Sequence, residues 1–97
     1  MKRFDWDIEK NEKLIQERNI SFEEVVSYIE QGKLLDIVDN PNPRFRHQKM
    51  FVIDIEGYIY LVPFVETEKG YFLKTIFASR KATKGYLETK EIKNEAQ

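Results

Sequence analysis

Two separate basic stretches hold the side chains best suited to binding phosphate. Residues 44–49 read Arg-Phe-Arg-His-Gln-Lys and follow a proline turn, and residues 79–84 read Ser-Arg-Lys-Ala-Thr-Lys and follow an apolar strand. Guanidinium and ammonium groups neutralise phosphate, and the first turn of a helix adds backbone N–H groups. The pattern predicts that both stretches contact one phosphate-containing ligand.

The first stretch combines cations with an aromatic ring and the only histidine of the chain. RNA-binding surfaces commonly pair phosphate contacts, here from Arg44 and Lys49, with aromatic stacking, here from Phe45. Histidine suits proton transfer near neutrality, so His47 is a candidate general acid or base. The alternative is a solvated surface histidine. We expect this segment to be extended, with Arg44 and Arg46 on one side and Phe45 and His47 on the other.

The second stretch supplies the first candidate for stabilising a phosphoryl transition state. Arginine stays charged and can hold two phosphate oxygens, so we assign that role to Arg80, with Arg46 as second choice. A helix-start arginine paired with a surface carboxylate is the alternative. The remaining predicted RNA contacts are polar or basic neighbours of Arg80: Lys74, Ser79, Lys81 and Lys84.

Composition argues against most other chemistry. The chain has no cysteine, one histidine and four isolated glycines, so we expect no metal site, no cofactor and no glycine-rich phosphate loop. Metal-free RNA cleavage remains, in which the substrate's own 2′-OH attacks the neighbouring phosphate.

Charge is unevenly distributed along the sequence. Residues 1–39 contain six Lys/Arg and ten Asp/Glu, whereas residues 40–87 contain eight and four, although the net charge is only -1. A local basic surface matters more to a polyanion than the total charge does. The second half is therefore predicted to carry an anion-binding surface, although lysines on a solvated sheet edge would produce the same bias.

Hydrophobic periodicity predicts one α+β domain over residues 1–87 and a polar tail over 88–97. The order is a strand, two helices, a four-stranded antiparallel meander and a C-terminal helix. Asp7 and Ser21 are predicted helix caps, Gly32 a helix stop, Glu56-Gly57 a tight hairpin turn, and Pro63 a position where its strand is bulged or partly at an edge. The expected bounds are 3–6, 8–18, 22–31, 34–39, 48–55, 58–65, 71–78 and 80–92. The longest apolar runs are strand-sized, so we expect a cytoplasmic protein without a membrane span.

Several short motifs, in order, resemble the BrnT-like toxins of bacterial type II toxin–antitoxin systems. They are Phe4-x-Trp6-Asp7-x-x-Lys10, the Ile-Ser-Phe-Glu-Glu-Val box at 20–25, Gly57, and Ser-Arg-Lys-Ala-Thr at 79–83. The resemblance implies a RelE-like fold and a ribonuclease that inhibits translation. It also implies a cognate antitoxin, often with a ribbon-helix-helix part, through which alone the complex binds operator DNA.

The resemblance implies roles for three residues, and the sequence differs from the family pattern at one place. Lys10, Arg80 and, by weaker alignment, Arg46 match family positions, although Lys10 could equally be a solvent-exposed lysine. The family often has Lys-His-Gly before the Ser-Phe-Glu-Glu box, whereas this chain has Glu-Arg-Asn at 17–19. Two hypotheses follow: His47 replaces the missing histidine in an active ribonuclease, or the domain binds a partner or RNA without cutting it.

Overall fold

The computed structural model describes residues 3–88, which form an α+β domain. Its helices and strands are β1 (Arg3–Trp6), α1 (Ile8–Arg18), α2 (Phe22–Glu30), β2 (Leu34–Asp39), a 3-10 turn (Pro43–Phe45), β3 (Lys49–Ile55), β4 (Tyr58–Glu66), β5 (Gly70–Leu73), β6 (Phe77–Ala78), α3 (Arg80–Thr83) and a π-helical turn (Lys84–Glu88). The predicted order of elements is confirmed over this range.

The strands form one mixed sheet in the order β1-β5-β4-β3-β2, with β6 also beside β4. Strands β2 to β5 are the predicted antiparallel meander, while β1 pairs with β5 in parallel. The β3–β4 hairpin turns at Glu56 and Gly57, whose positive φ values of 54° and 84° suit a tight two-residue connection.

Side-chain caps begin both long helices where the sequence predicts them. The Asp7 carboxylate accepts from the backbone N–H of Glu9, and the Ser21 hydroxyl accepts from that of Glu24. A buried asparagine on α1, Asn11, also accepts from the Phe22 N–H at 2.8 Å. The two helices are therefore joined by a polar contact inside an apolar layer.

Helices α1 and α2 cover one side of the sheet, here called the helix face. Strand alternation turns Phe51, Val62 and Phe64 toward these helices, and the Phe51 and Phe64 rings stack with centroids 3.9 Å apart. Trp6 stacks on Phe22 of α2 in the same layer. This face holds the main hydrophobic core.

The C-terminal segment covers part of the other side, here called the second face. Val52 and Ile59 point to this side and are 1% and 0% exposed. The Thr83 hydroxyl accepts from the Ile59 N–H at 2.9 Å, and the Tyr86 hydroxyl reaches Asp36 of β2. Helix α3 and the π-helical turn therefore run from β4 across β3 toward β2.

One predicted strand, residues 71–78, is interrupted between Leu73 and Phe77. Phe64 pairs with Leu73, and Leu61 pairs with Phe77. Between these two pairs, the predicted strand has one residue more than β4. Pro63, which has no N–H to donate, lies opposite the interruption and accepts from the Lys74 N–H at 2.8 Å. Strand β4 is therefore not bulged at Pro63, and the extra residue lies in the neighbouring strand instead.

The prediction that residues 44–49 are extended is wrong for residues 44–47, whereas Lys49 lies in β3 as expected. The Asn42 side chain accepts from the Arg44 N–H, and the Gln48 N–H donates to the Phe45 carbonyl, which together fold the segment into a 3-10 turn. Local side-chain capping after the two prolines outweighs the extended pattern. We call Pro43–Phe45 with Arg46 and His47 the Phe45 turn.

Helix α3 begins at Arg80 as predicted, but its α-helical part has only four residues before the π-helical turn. The predicted continuation to residue 92 and the polar tail beyond Glu88 lie outside the described residues. Within residues 3–88, no helix has the length and apolar character needed to cross a bilayer.

Candidate nucleic-acid interface

A cavity of about 460 Å³ opens on the second face and is here called the groove. Its lining comes from the Phe45 turn, three strands and the β5–β6 interruption, and includes Phe45, Met50, Leu61, Pro63, Lys74 and Phe77. Most of this lining is apolar. The groove is therefore a hydrophobic depression on the side of the sheet that carries α3.

The floor of the groove follows from strand alternation. Phe51 and Val62 face the main core, so their neighbours Met50 and Leu61 point to the second face. The C-terminal segment lies over Val52 and Ile59, on the same face. The groove thus continues the apolar surface of β3 and β4 beside the part that this segment covers.

Two irregular segments bring Phe45 and Lys74 to the same cavity. The Phe45 turn places an aromatic ring that is 41% exposed at one wall, and the β5–β6 interruption places Lys74 at another. The Lys74 ammonium lies 5.2 Å from the centroid of the Phe72 ring. The structure therefore joins the first basic stretch to one predicted RNA contact from the later strand.

Cations lie near the groove: Lys74 lines it, Arg44 and Arg46 belong to the adjoining turn, and Lys49 points to the helix face like Phe64 opposite it. Residues 40–50 and 72–79 contain four Lys/Arg and no Asp or Glu, and the four are all exposed: Arg44, Arg46, Lys49 and Lys74. His47 is exposed in the same turn. Exposed cations without intervening carboxylates produce a positive local potential.

The second basic stretch lies on α3 and the turn after it. Arg80, Lys81 and Lys84 are exposed. The Ser79 hydroxyl accepts from the Ala82 N–H at 3.1 Å, and the Ser79 carbonyl accepts from the Thr83 N–H. The start of α3 therefore has fewer backbone donors for a ligand than the sequence pattern indicates.

Lys10 lies apart from the other predicted site residues. It is half-buried on α1, next to Asn11, and so belongs to the layer on the helix face. The other predicted residues belong to the Phe45 turn, to the start of β3 at Lys49, to the β5–β6 interruption and to the segment from Ser79 onward. The structure does not bring Lys10 together with them.

Sequence reasoning missed a polar pocket of about 560 Å³ on the helix face. Its lining mixes a cation, carboxylates and hydroxyl groups, among them Arg18, Glu24, Ser27, Tyr28, Glu56 and Tyr60. Arg18 also donates to the Ile76 carbonyl. Its residues come from α1, α2 and the β3–β4 hairpin, so no short-range pattern in the sequence indicated this pocket.

Among residues 3–88, no three His, Cys, Asp or Glu side chains are grouped to hold a metal ion. The phenol of Tyr86 has its pKa raised from the ordinary value of 10.0, first by its hydrogen bond to Asp36 and then by burial. This group lies on the segment that crosses the second face.

Comparison with protein-family models, with curated proteins and with solved structures gave no match. The resemblance to BrnT-like toxins, with the RelE-like arrangement that it implies, therefore remains a prediction that rests on the motifs.

Proposed function

We propose that this protein binds single-stranded RNA on its second face and is the toxin of a type II toxin–antitoxin system with a RelE-like fold. One observation carries the proposal: Lys74 and the Phe45 turn, which contains Arg44 and Arg46, meet at one groove whose lining residues include no carboxylate. Cations beside an exposed aromatic ring are the usual means of binding a flexible RNA strand.

In the proposed reaction the RNA supplies its own nucleophile. The 2′-oxygen forms a bond to the adjacent phosphorus and loses its proton to a base, while the P–O5′ bond breaks and the departing 5′-oxygen takes up a proton. His47 is the candidate for a proton-transfer step, and Arg80 and Arg46 are the candidates for stabilising the added phosphoryl charge. Lys10 lies on the helix face, away from the other three candidates, so its position does not favour the catalytic role that the resemblance implies.

The proposal includes a cognate antitoxin, expected to carry a ribbon-helix-helix part and to cover the basic second face. Binding to operator DNA would then occur only through the antitoxin. Covering the groove and α3 would prevent RNA from reaching the cations, which explains how such a complex is inactive in the cytoplasm.

The test is an RNA cleavage assay in excess EDTA. We expect the wild type to cut single-stranded RNA and Arg80→Ala to be slower by about 100-fold or more, because one lost oxyanion donor has that effect. Lys13→Ala removes an exposed lysine from α1 and serves as the matched control, with unchanged activity. Equal cleavage by wild type and Arg80→Ala would remove Arg80 from the mechanism, and no cleavage by wild type would end the catalytic proposal.

A non-catalytic module that binds RNA or a partner protein is the second candidate. The observation that favours it is exposure: Arg46, His47 and Arg80 all lie in solvent, whereas catalytic electrostatics are strongest in sites that exclude water. Expression alone and with the neighbouring reading frame separates the two. Growth arrest that the neighbour relieves indicates a toxin, and harmless expression with RNA binding in vitro indicates a module.

A further inference from the structure

We infer that the groove is a binding site for an unpaired nucleobase, so that the protein contacts bases as well as phosphates in single-stranded RNA. This inference rests on the proposed function and adds to it the part of the substrate that the groove takes. The cations alone would account for phosphate binding. The apolar floor suits a ligand that also has an apolar surface.

The dimensions and surface of the groove suit a flat heterocycle. Its volume of about 460 Å³ lies in the range of cavities that enclose small organic ligands. Met50, Leu61, Pro63 and Phe77 contribute apolar surface, and Phe45 adds an exposed aromatic ring on which a base can stack. A base inside a duplex is already stacked and paired, so only an unpaired base could enter.

Charge complementarity selects a nucleotide over an apolar protein segment. Lys74 lines the groove, and Arg44 and Arg46 flank Phe45 in the adjoining turn. A base carries a phosphate on each side of its sugar, so a base in the groove would place anions near these cations. An apolar peptide segment would leave the cations without partners.

Hydrogen bonds hold the Phe45 wall in place before any ligand arrives. The Asn40 side chain accepts from the Asn42 N–H, and the Asn42 side chain accepts from the Arg44 N–H, both at 3.0 Å. The buried Gln48 donates its backbone N–H to the Phe45 carbonyl at 2.8 Å. A wall that is ordered in advance loses less conformational entropy when a base stacks on it.

The experiment measures fluorescence anisotropy with the full chain and two labelled 2′-O-methyl oligonucleotides, which resist cleavage by 2′-OH attack. One is oligouridine, and the other has the same backbone but abasic sugars. We expect the wild type to bind the oligouridine at least about fivefold more tightly, the lower end of the stacking contribution of one base. Phe45→Ala should lose this preference, and Phe45→Tyr should keep it.

The matched control is Tyr58→Ala, which removes a similarly exposed aromatic ring from a position outside the lining of the groove and should keep the preference. Equal affinity of the wild type for both oligonucleotides, or an unchanged preference in Phe45→Ala, would overturn the inference and leave RNA binding intact. Failure to bind either oligonucleotide would instead remove the proposed function and the inference with it. Far-UV circular dichroism of each variant excludes unfolding as the cause of a lost preference.

Discussion

The Tyr86 hydroxyl donates to the Asp36 carboxylate at 2.8 Å, across a separation of fifty residues. The other oxygen of the same carboxylate accepts from the Ile37 N–H at 2.8 Å. Asp36 therefore ties the C-terminal segment to the outermost strand of the meander. This contact fixes the course of the segment across the second face, beside the groove.

Tyr86→Phe should lower the free energy of unfolding by about 0.5 kcal/mol, the lower end for a hydrogen bond, because the contact is exposed. The stabilisation by this hydrogen bond depends on pH because the pKa of Tyr86 is raised. The contribution is fully present below the unfolded pKa of about 10 and is lost as the pH rises through the higher folded pKa. Urea unfolding of both proteins from neutral pH to beyond that range should show the two stabilities converging; a difference that stays constant would mean that the hydrogen bond is not its source.

Thr83→Val tests the contact between α3 and β4. The Thr83 hydroxyl accepts from the Ile59 N–H and donates to the Ser79 carbonyl at 2.7 Å, and Thr83 is 4% exposed. Valine keeps the shape but leaves a buried N–H without its acceptor, which should cost about 1–3 kcal/mol of unfolding free energy. Thr83→Ser keeps the hydroxyl and should lose less. Little or no loss in Thr83→Val would mean that this hydroxyl does not stabilise the contact between α3 and β4.

Gly70→Ala should be among the most destabilising single changes in the chain. A Cβ at Gly70 would lie 2.0 Å from the Arg3 carbonyl oxygen, so β1 and β5 could not keep their pairing. We expect a loss of about 3 kcal/mol or more in urea unfolding. Gly57→Ala is the control, because its Cβ would meet no atom within 4 Å. Only the positive φ of 84° is unfavourable for alanine there, so the loss of unfolding free energy should be about 1–2 kcal/mol. Similar losses in the two variants would contradict the predicted clash.

RNA affinity should fall steeply with salt, because phosphate contacts release counterions. For single strands the slope of log K against log salt is about −0.7 for each neutralised phosphate. Arg44→Ala and Arg46→Ala should each reduce the slope by up to that amount, whereas Lys13→Ala on α1 should leave it unchanged. Anisotropy titrations over a range of NaCl concentrations measure the slope. A slope that is the same in all four proteins would place the phosphate contacts away from the Phe45 turn.

The sequence by itself determined most of the secondary structure. Asp7 and Ser21 begin the helices that they were predicted to cap, and Glu56 with Gly57 forms the predicted hairpin turn. These features depend on hydrogen bonds and backbone angles within a few residues, so residue types at short spacing are enough to predict them. The basic bias of the second half was visible in the same way.

Only the tertiary structure decided which residues meet. Phe45 and Lys74 share a groove because a capped 3-10 turn and the interruption between β5 and β6, opposite Pro63, bring distant segments together. Lys10 lies on the helix face because α1 packs there through Leu14, which belongs to the main core. Such proximity depends on sheet register and on which face each helix covers, and both are set by packing between residues far apart in the chain.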